Sequence, residues 1–208
     1  MASGAECVRF LAVLLQWLVP GRLVDRELEL IRPDVRHIAD VMEACQHPLT
    51  VRDAPREAGT TRRQLFDFLR VAPGGNDPGD ASQQRARGYA FWMRLRPEYS
   101  PAVRIAGGCS LRVADTPEVR TYFGHVGYHV YPPARGAHLA ERSVRLLLPL
   151  ARAHGLKELF ITVNPDNWPS RRTAERLGAT LIDIVDLPES NVLFKRGDRQ
   201  KCRYLLEL

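Results

Sequence analysis

Lysine is almost missing from this chain. Of 30 basic residues in 208, only Lys157, Lys195 and Lys201 are lysine and the other 27 are arginine. The arginines are scattered, with no block of five or more, so the net charge of +6 describes a solvated arginine-rich surface rather than a nucleic-acid groove. No nucleic acid is expected as a partner, although a polyphosphorylated ligand would gain from the same sign of charge. Cysteine is scarce as well. Cys7, Cys45, Cys109 and Cys202 are far apart, without C-x-x-C, and the six histidines show no H-E-x-x-H. These spacings argue against a disulfide framework and a metal site, and fit a reduced, cytoplasmic chain with buried thiols and no metal. No apolar run reaches the roughly 20 residues that a bilayer span needs. The longest, Phe10 to Val19, is flanked by Glu6 and Arg9 and followed by no small-x-small site before Arg22, unlike a signal peptide. An additional helix docked on the domain, a misassigned start codon, and a membrane or dimer contact are the readings open for it. No internal period of 20–50 residues and no low-complexity segment is evident.

What is present divides into an apolar extension, residues 1–26, and one domain, residues 27–208. Glu27 to Ile31 alternates and reads as a first strand. Pro33 and Asp34 open a helix with Val35, Ile38, Ala39, Val41, Met42 and Cys45 along one face, which His47-Pro48 closes. Thr60 or Thr61 caps a second helix carrying Leu65, Phe66, Phe68 and Leu69. Ala72 to Gly88 has the composition of a flexible loop, too polar for a core. Three strands follow, Tyr89–Leu95, Val103–Val113 and Tyr122–Val130, joined by short turns and so antiparallel. A long helix spans about His138–His154, interrupted by Pro149, which should bend it near Arg145. Glu158–Val163 reads as a central strand, Asn167–Leu177 as a short helix stopped by Gly178, and Thr180–Asp186 and Lys201–Leu206 as two last strands. The fold class expected is α/β: one mixed, mainly antiparallel sheet of about seven strands flanked by about four helices.

Two strand-to-helix turns carry the chemistry. The first, Val130-Tyr-Pro-Pro-Ala-Arg-Gly-Ala-His-Leu-Ala140, places small residues and one arginine where a strand gives way to a helix. Backbone N–H groups at a helix start are unpaired and partially positive, which suits a phosphate. The second is Asn164-Pro-Asp-Asn-Trp-Pro-Ser170. Together they point to a pocket for a phosphate-bearing carrier such as coenzyme A. Each residue also has a plainer reading: Asn167 as a helix N-cap, Gly136 as the relief of a tight turn, and His125 and His129 as half-exposed strand histidines.

The order of elements, with these turns in these places, resembles the GCN5-related N-acetyltransferase (GNAT) family over about Glu27 to Leu208. Gly124 to Pro133 looks like the family's fourth strand running into its acyl-CoA loop. Arg135-Gly-Ala-His-Leu-Ala140 looks like its Q/R-x-x-G-x-G/A pyrophosphate signature, and Asn167 to Gly178 like its N-x-x-S/A…E-x-x-G helix. The resemblance implies acetyl-CoA as cosubstrate, an amine as acceptor, and transfer without a covalent enzyme intermediate. It places the pyrophosphate on the backbone of Gly136, Ala137, His138, Leu139 and Ala140, with Arg135 beside it. It places the pantetheine along Tyr128 to Val130, and Asn167 and Ser170 at the carrier's pantetheine or adenosine end. Two departures stand out. The signature glycine falls at His138, and the tyrosine that many members use as general acid falls at Ala174. His125, Tyr128 and His129, beside the expected thioester, are the candidate proton carriers. The alternative is a weak or inert CoA-binding module of the same fold. Monomer and homodimer are both open.

Overall fold

The computed structural model describes residues 17–99 and 101–208. Cys7 and residues 10–16 of the apolar run lie outside them. The described end of that run packs on the domain: Trp17 meets Tyr89 edge-on at 5.0 Å between ring centroids, and Leu18 N–H donates to the Tyr89 hydroxyl at 2.8 Å.

Nine strands form two sheets among the described residues. The first holds β1 (Leu23–Val24), β2 (Leu28–Ile31), β3 (Asn76–Asp77), β4 (Gly88–Leu95), β5 (Ile105–Arg112) and β6 (Val126–Val130) in the order β1-β2-β4-β5-β6, with β3 also on β4. The second holds β7 (Glu158–Val163), β8 (Thr180–Asp186) and β9 (Gln200–Glu207) in the order β7-β9-β8. Every pairing is antiparallel. The seven strands read from the sequence are all present. β1 and β3 have two residues each, too short to show an alternation. The single sheet expected is corrected to two, because β6 and β7 diverge and form no ladder.

The helices are α1 (Ile38–Gln46), α2 (Pro48–Asp53), α3 (Pro55–Ala58), α4 (Arg62–Val71), α5 (Leu139–Ala153), α6 (Trp168–Leu177) and α7 (Val192–Lys195). Thr61 starts α4 with a reciprocal capping box to Gln64. His47 caps α2, and prolines start both short helices, α2 and α3. Two readings need correction. Tyr122 belongs to a π-helical turn, Val119–Phe123, ended by Gly124 at φ 67°, so β6 starts only at Val126. Ala72 and Gly75, at the head of the polar segment, are buried.

Packing follows the two-residue period of the strands. Tyr89, Phe91 and Met93 of β4, with Cys109 and Leu111 of β5, turn to α5 and are all but fully buried. α5 answers with Ser143, Val144, Leu147, Leu150 and Ala151, and runs unbroken through Pro149. Its Arg142 clamps the β1–β2 turn, donating to both Asp25 carboxylate oxygens at 2.7 Å and to Glu27 at 3.0 Å. α1 crosses the opposite face, where the Cys45 thiol donates to the Tyr131 hydroxyl at 3.4 Å. Cys45, Cys109 and Cys202 are free and buried.

Candidate functional site

The turn between β6 and α5 is built to leave donors open. Gly136 has φ 95° and His138 φ 53°, and these two left-handed residues wind the chain so that successive N–H groups point outward. The N–H groups of Gly136, Ala137, His138, Leu139 and Ala140 have no acceptor among the described residues, and His138 gives α5 no side-chain cap. Five open donors at the positive end of a 15-residue helix form a cradle for an anion. His138 therefore occupies a glycine conformation with a histidine side chain. Arg176, near the end of α6, holds that ring by donating to its Nδ1 at 2.8 Å. Arg135 folds back to the end of β6, its Nε donating to the Val130 carbonyl at 3.1 Å.

The splay between β6 and β7 begins at a clasp. His125 N–H donates to the Phe160 carbonyl at 2.7 Å, Phe160 N–H returns a bond to His125 Nδ1 at 2.9 Å, and the Thr162 hydroxyl donates to the Tyr122 carbonyl at 2.9 Å. Beyond it the strands separate around a cleft of about 260 Å³, lined among others by Tyr128, Thr162, Asn164, Asn167, Ser170 and Lys201. The ladder bonds Arg112 N–H to His125 C=O (2.6 Å) and Tyr131 N–H to Ala106 C=O (2.8 Å) bracket the β5–β6 pairing, whose register is unshifted between them. Bonded positions alternate along an antiparallel pair. Gly127 and His129 accordingly turn their N–H to β5, while Val126, Tyr128 and Val130 turn theirs into the splay.

The three candidate proton carriers separate. His125 is fully buried, and its Nδ1 lone pair is taken by Phe160 N–H. Burial holds its imidazole below the ordinary histidine range against the pull of Asp115, whose Oδ1 lies 3.3 Å from Nε2. It is a clasp between β6 and β7. Tyr128 and His129 are strand neighbours and so face opposite sides. The Tyr128 hydroxyl reaches the Ser170 carbonyl at 3.3 Å, and burial raises its pKa, so it keeps its proton. His129 faces a second depression of about 300 Å³, with Phe68, Trp92 and a floor of Gly108, Ser110 and Gly127. Crowding by these walls lowers its pKa against the pull of Glu57, which favours the neutral imidazole. Tyr131 braces the ring edge-on at 5.3 Å.

Around the cleft mouth, Asn167 Oδ1 accepts from Ser170 N–H at 3.2 Å, so the N-cap is real, and both residues also line the cleft. Ala174 is wholly buried in α6 and its methyl group offers no proton. Sequence reasoning missed three members of the site. Lys201 and Asp198 pair at 2.7 Å, and Asn164 joins them by accepting from Lys201 Nζ and donating to Asp198 at 2.8 Å. Arg112 lines the same cleft. The rarity of lysine was a usable signal for Lys201; nothing marked Arg112 among 27 arginines. Among the described residues no helix is long and apolar enough to cross a membrane.

Comparison with solved structures finds the same architecture in several acetyltransferases. The microcin C7 self-immunity acetyltransferase MccE, solved with acetyl-CoA and AMP, is 15% identical, with a TM-score of 0.63 over 88% of this chain and 94% of its own. A GNAT-family acetyltransferase from Bacillus anthracis is 15% identical, with a TM-score of 0.62 over 90% and 98%. RimL, a ribosomal L7/L12 α-N-protein acetyltransferase solved with coenzyme A, is 17% identical, with a TM-score of 0.60 over 89% and 96%. At these identities the likeness is one of fold. Comparison with curated proteins finds no match. The family model for the acetyltransferase (GNAT) domain, however, matches residues 27–180, most of the chain, and the protein belongs to the GNAT acetyltransferase family.

Proposed function

We propose that this protein is an acetyl-CoA-dependent N-acetyltransferase that passes the acetyl group directly to an amine of a small molecule or protein in a ternary complex. The observation that carries the reading is a line of unused backbone donors, interrupted only at residues 131–135. It runs from Gly136–Ala140 at the start of α5 to Val130, Tyr128 and Val126 along the splay. The first group fits a pyrophosphate and the second a pantetheine arm. One outward N–H of β6 would meet the charge developing on the thioester oxygen. Acetyl-CoA supplies the activated acetyl group.

Tyr128 and His129 divide the proton work between the two faces of β6. As the amine nitrogen attacks the thioester carbon, His129 takes the proton that the nitrogen must lose. The C–S bond breaks, and Tyr128, kept protonated by burial, gives its proton to the departing thiolate. Tyr128 thereby does the work that Ala174 cannot. Holding the two reactants together contributes much of the acceleration, up to about 7–11 kcal/mol in favourable cases.

Calorimetry with acetyl-CoA tests the binding half: micromolar to submillimolar affinity is expected, and no heat at millimolar ligand would sink it. Thiol release from acetyl-CoA with a broad amine panel tests the transfer half. The burial of Ala174 favours a second reading, a module that binds CoA without transfer. Turnover of any amine that is lost in Arg135→Glu refutes it.

A further inference from the structure

Among the described residues, Arg112 is a mostly enclosed cation with no counter-ion within reach. It stands at the end of β5 on the same face as Gly108 and Ser110, the face that His129 shares. Its Nη1 donates to the carbonyls of Phe123 (3.2 Å) and Gly124 (3.1 Å), and no other hydrogen bond to its side chain is present among the described residues. No carboxylate there lies within ion-pair distance of it. Asp77, which acts on it from further away, is already bound by Arg85 at 2.9 Å and by Gly79 N–H at 2.9 Å. Two carbonyls satisfy one nitrogen of a guanidinium that offers five N–H donors. Enclosing such a charge unpaired is costly, and burial does depress its pKa.

The surroundings keep the remaining donors accessible. Gly127 stands beside the guanidinium, and a Cβ there would come within 3.8 Å of Nη1 and 2.9 Å of the Ser110 hydroxyl. Gly127 lines both the splay cleft, which holds Arg112 and Lys201 and no aspartate or glutamate, and the depression under His129, so the guanidinium sits where the two meet. Two strand rises separate Gly127 from His129, about 7 Å. A cation thus lies a short molecule's length from the base that meets the amine.

We infer that the acceptor is a small amine carrying an anionic group, a carboxylate in the simplest case, and that Arg112 receives that group on the acceptor face of the sheet. This rests on the acetyltransferase reading above. It deepens that reading by assigning a substrate class and a recognition residue. Arg112 acts in binding; it takes no part in the proton transfers.

The experiment uses matched pairs on the unaltered protein. Amino acids with two to five carbons between or around amine and carboxylate are each compared with their carboxamides, with thiol release from acetyl-CoA as readout. At least one acid is expected to be acetylated with kcat/KM ten-fold or more above its amide. Arg112→Gln is expected to erase the preference, raising KM for that acid at least ten-fold more than KM for its amide. Equal rates for acid and amide, or no acid turned over while acetyl-CoA binds, would overturn the inference and leave the family reading intact. Absence of acetyl-CoA binding would instead bring down the reading beneath it. Because Arg112 also holds the Gly124 turn, Arg112→Lys serves as the variant if the glutamine protein does not fold. It is expected to retain the preference for the acid in weakened form, and an undiminished preference would count against the role assigned.

Discussion

His129 carries the most exposed claim about single residues. Its environment lowers its pKa: the ring is open to solvent on one side, but the walls of the depression around it desolvate the charged form. An imidazole must be unprotonated to accept a proton, so lowering its pKa widens the range in which it is competent. The acidic limb of kcat/KM should therefore lie below the ordinary histidine value of about 6.5, with a plateau through neutrality. His129→Gln should reduce kcat about 100-fold, at the modest end of what general-base catalysis supplies, and remove that limb. The acetyl-CoA affinity should not change. A limb that survives in the variant would assign the titration to another group. His138 poses the opposite question, since it occupies a backbone conformation that disfavours every residue with a Cβ. His138→Gly relieves strain of about 1 kcal/mol and uncrowds the open donors beside it, at the loss of one exposed bond to Arg176. A melting temperature at or above that of the parent and a several-fold tighter acetyl-CoA complex are expected in calorimetry. A weaker complex would show that the ring itself helps to hold the phosphate.

Between strands, the close approach of β5 to β6 sets where His129 points. Gly108 stands directly opposite His129, and a Cβ added there would lie 2.8 Å from Cε1 of the ring. The backbone at Gly108 tolerates a side chain, unlike Gly107, where a Cβ would lie 2.0 Å from the His129 carbonyl. Gly108→Ala should fold, bind acetyl-CoA normally and lose at least ten-fold in kcat because the ring is displaced. Gly107→Ala should break the strand pair and unfold at a markedly lower temperature. The reason for two glycines in mid-strand lies across the ladder, where no local pattern points. The same divide runs through the other elements. Alternation exposed β4, and the capping residue Thr61 and the stop at Gly178 exposed two helix ends, because these are local effects. The clasp between His125 and Phe160 joins residues 35 apart, so His125 looked like any strand histidine. The separation of β6 from β7 likewise shows only in three dimensions, although two motifs pointed to a phosphate-bearing carrier.

At the scale of the whole molecule, the two sheets share no ladder, and charged groups fasten joints within each half. Arg142 ties α5 to the β1–β2 turn through Asp25, Arg203 ties β9 to β8 through Asp183, and Lys201 with Asn164 ties β9 to the end of β7 through Asp198. For Asp198 burial alone would raise the pKa, but the bonds from Lys201 and Asn164 outweigh it and the net shift is downward. Asp25 behaves in the same way with Arg142, and Asp183 is lowered chiefly by Arg203. A carboxyl group whose pKa is lower folded than unfolded stabilises the folded state fully above its unfolded value, about 3.9 for aspartate. That contribution drains away as the pH falls through the folded value. Stability should accordingly be level from neutrality to about pH 5 and fall steeply below pH 4. Asp198→Asn should lower stability at pH 7 by about 2 kcal/mol, since it strands a Lys201 ammonium that is only 7% exposed while Asn164 still accepts one bond. The same variant should make the acid decline shallower, because one of the groups whose protonation drives it is gone. Urea unfolding of both proteins between pH 3 and 8 checks the two effects together. Parallel curves across the whole range would show that Asp198 is not ionised and paired in the folded state, and would detach Lys201 from the joint that positions it in the cleft.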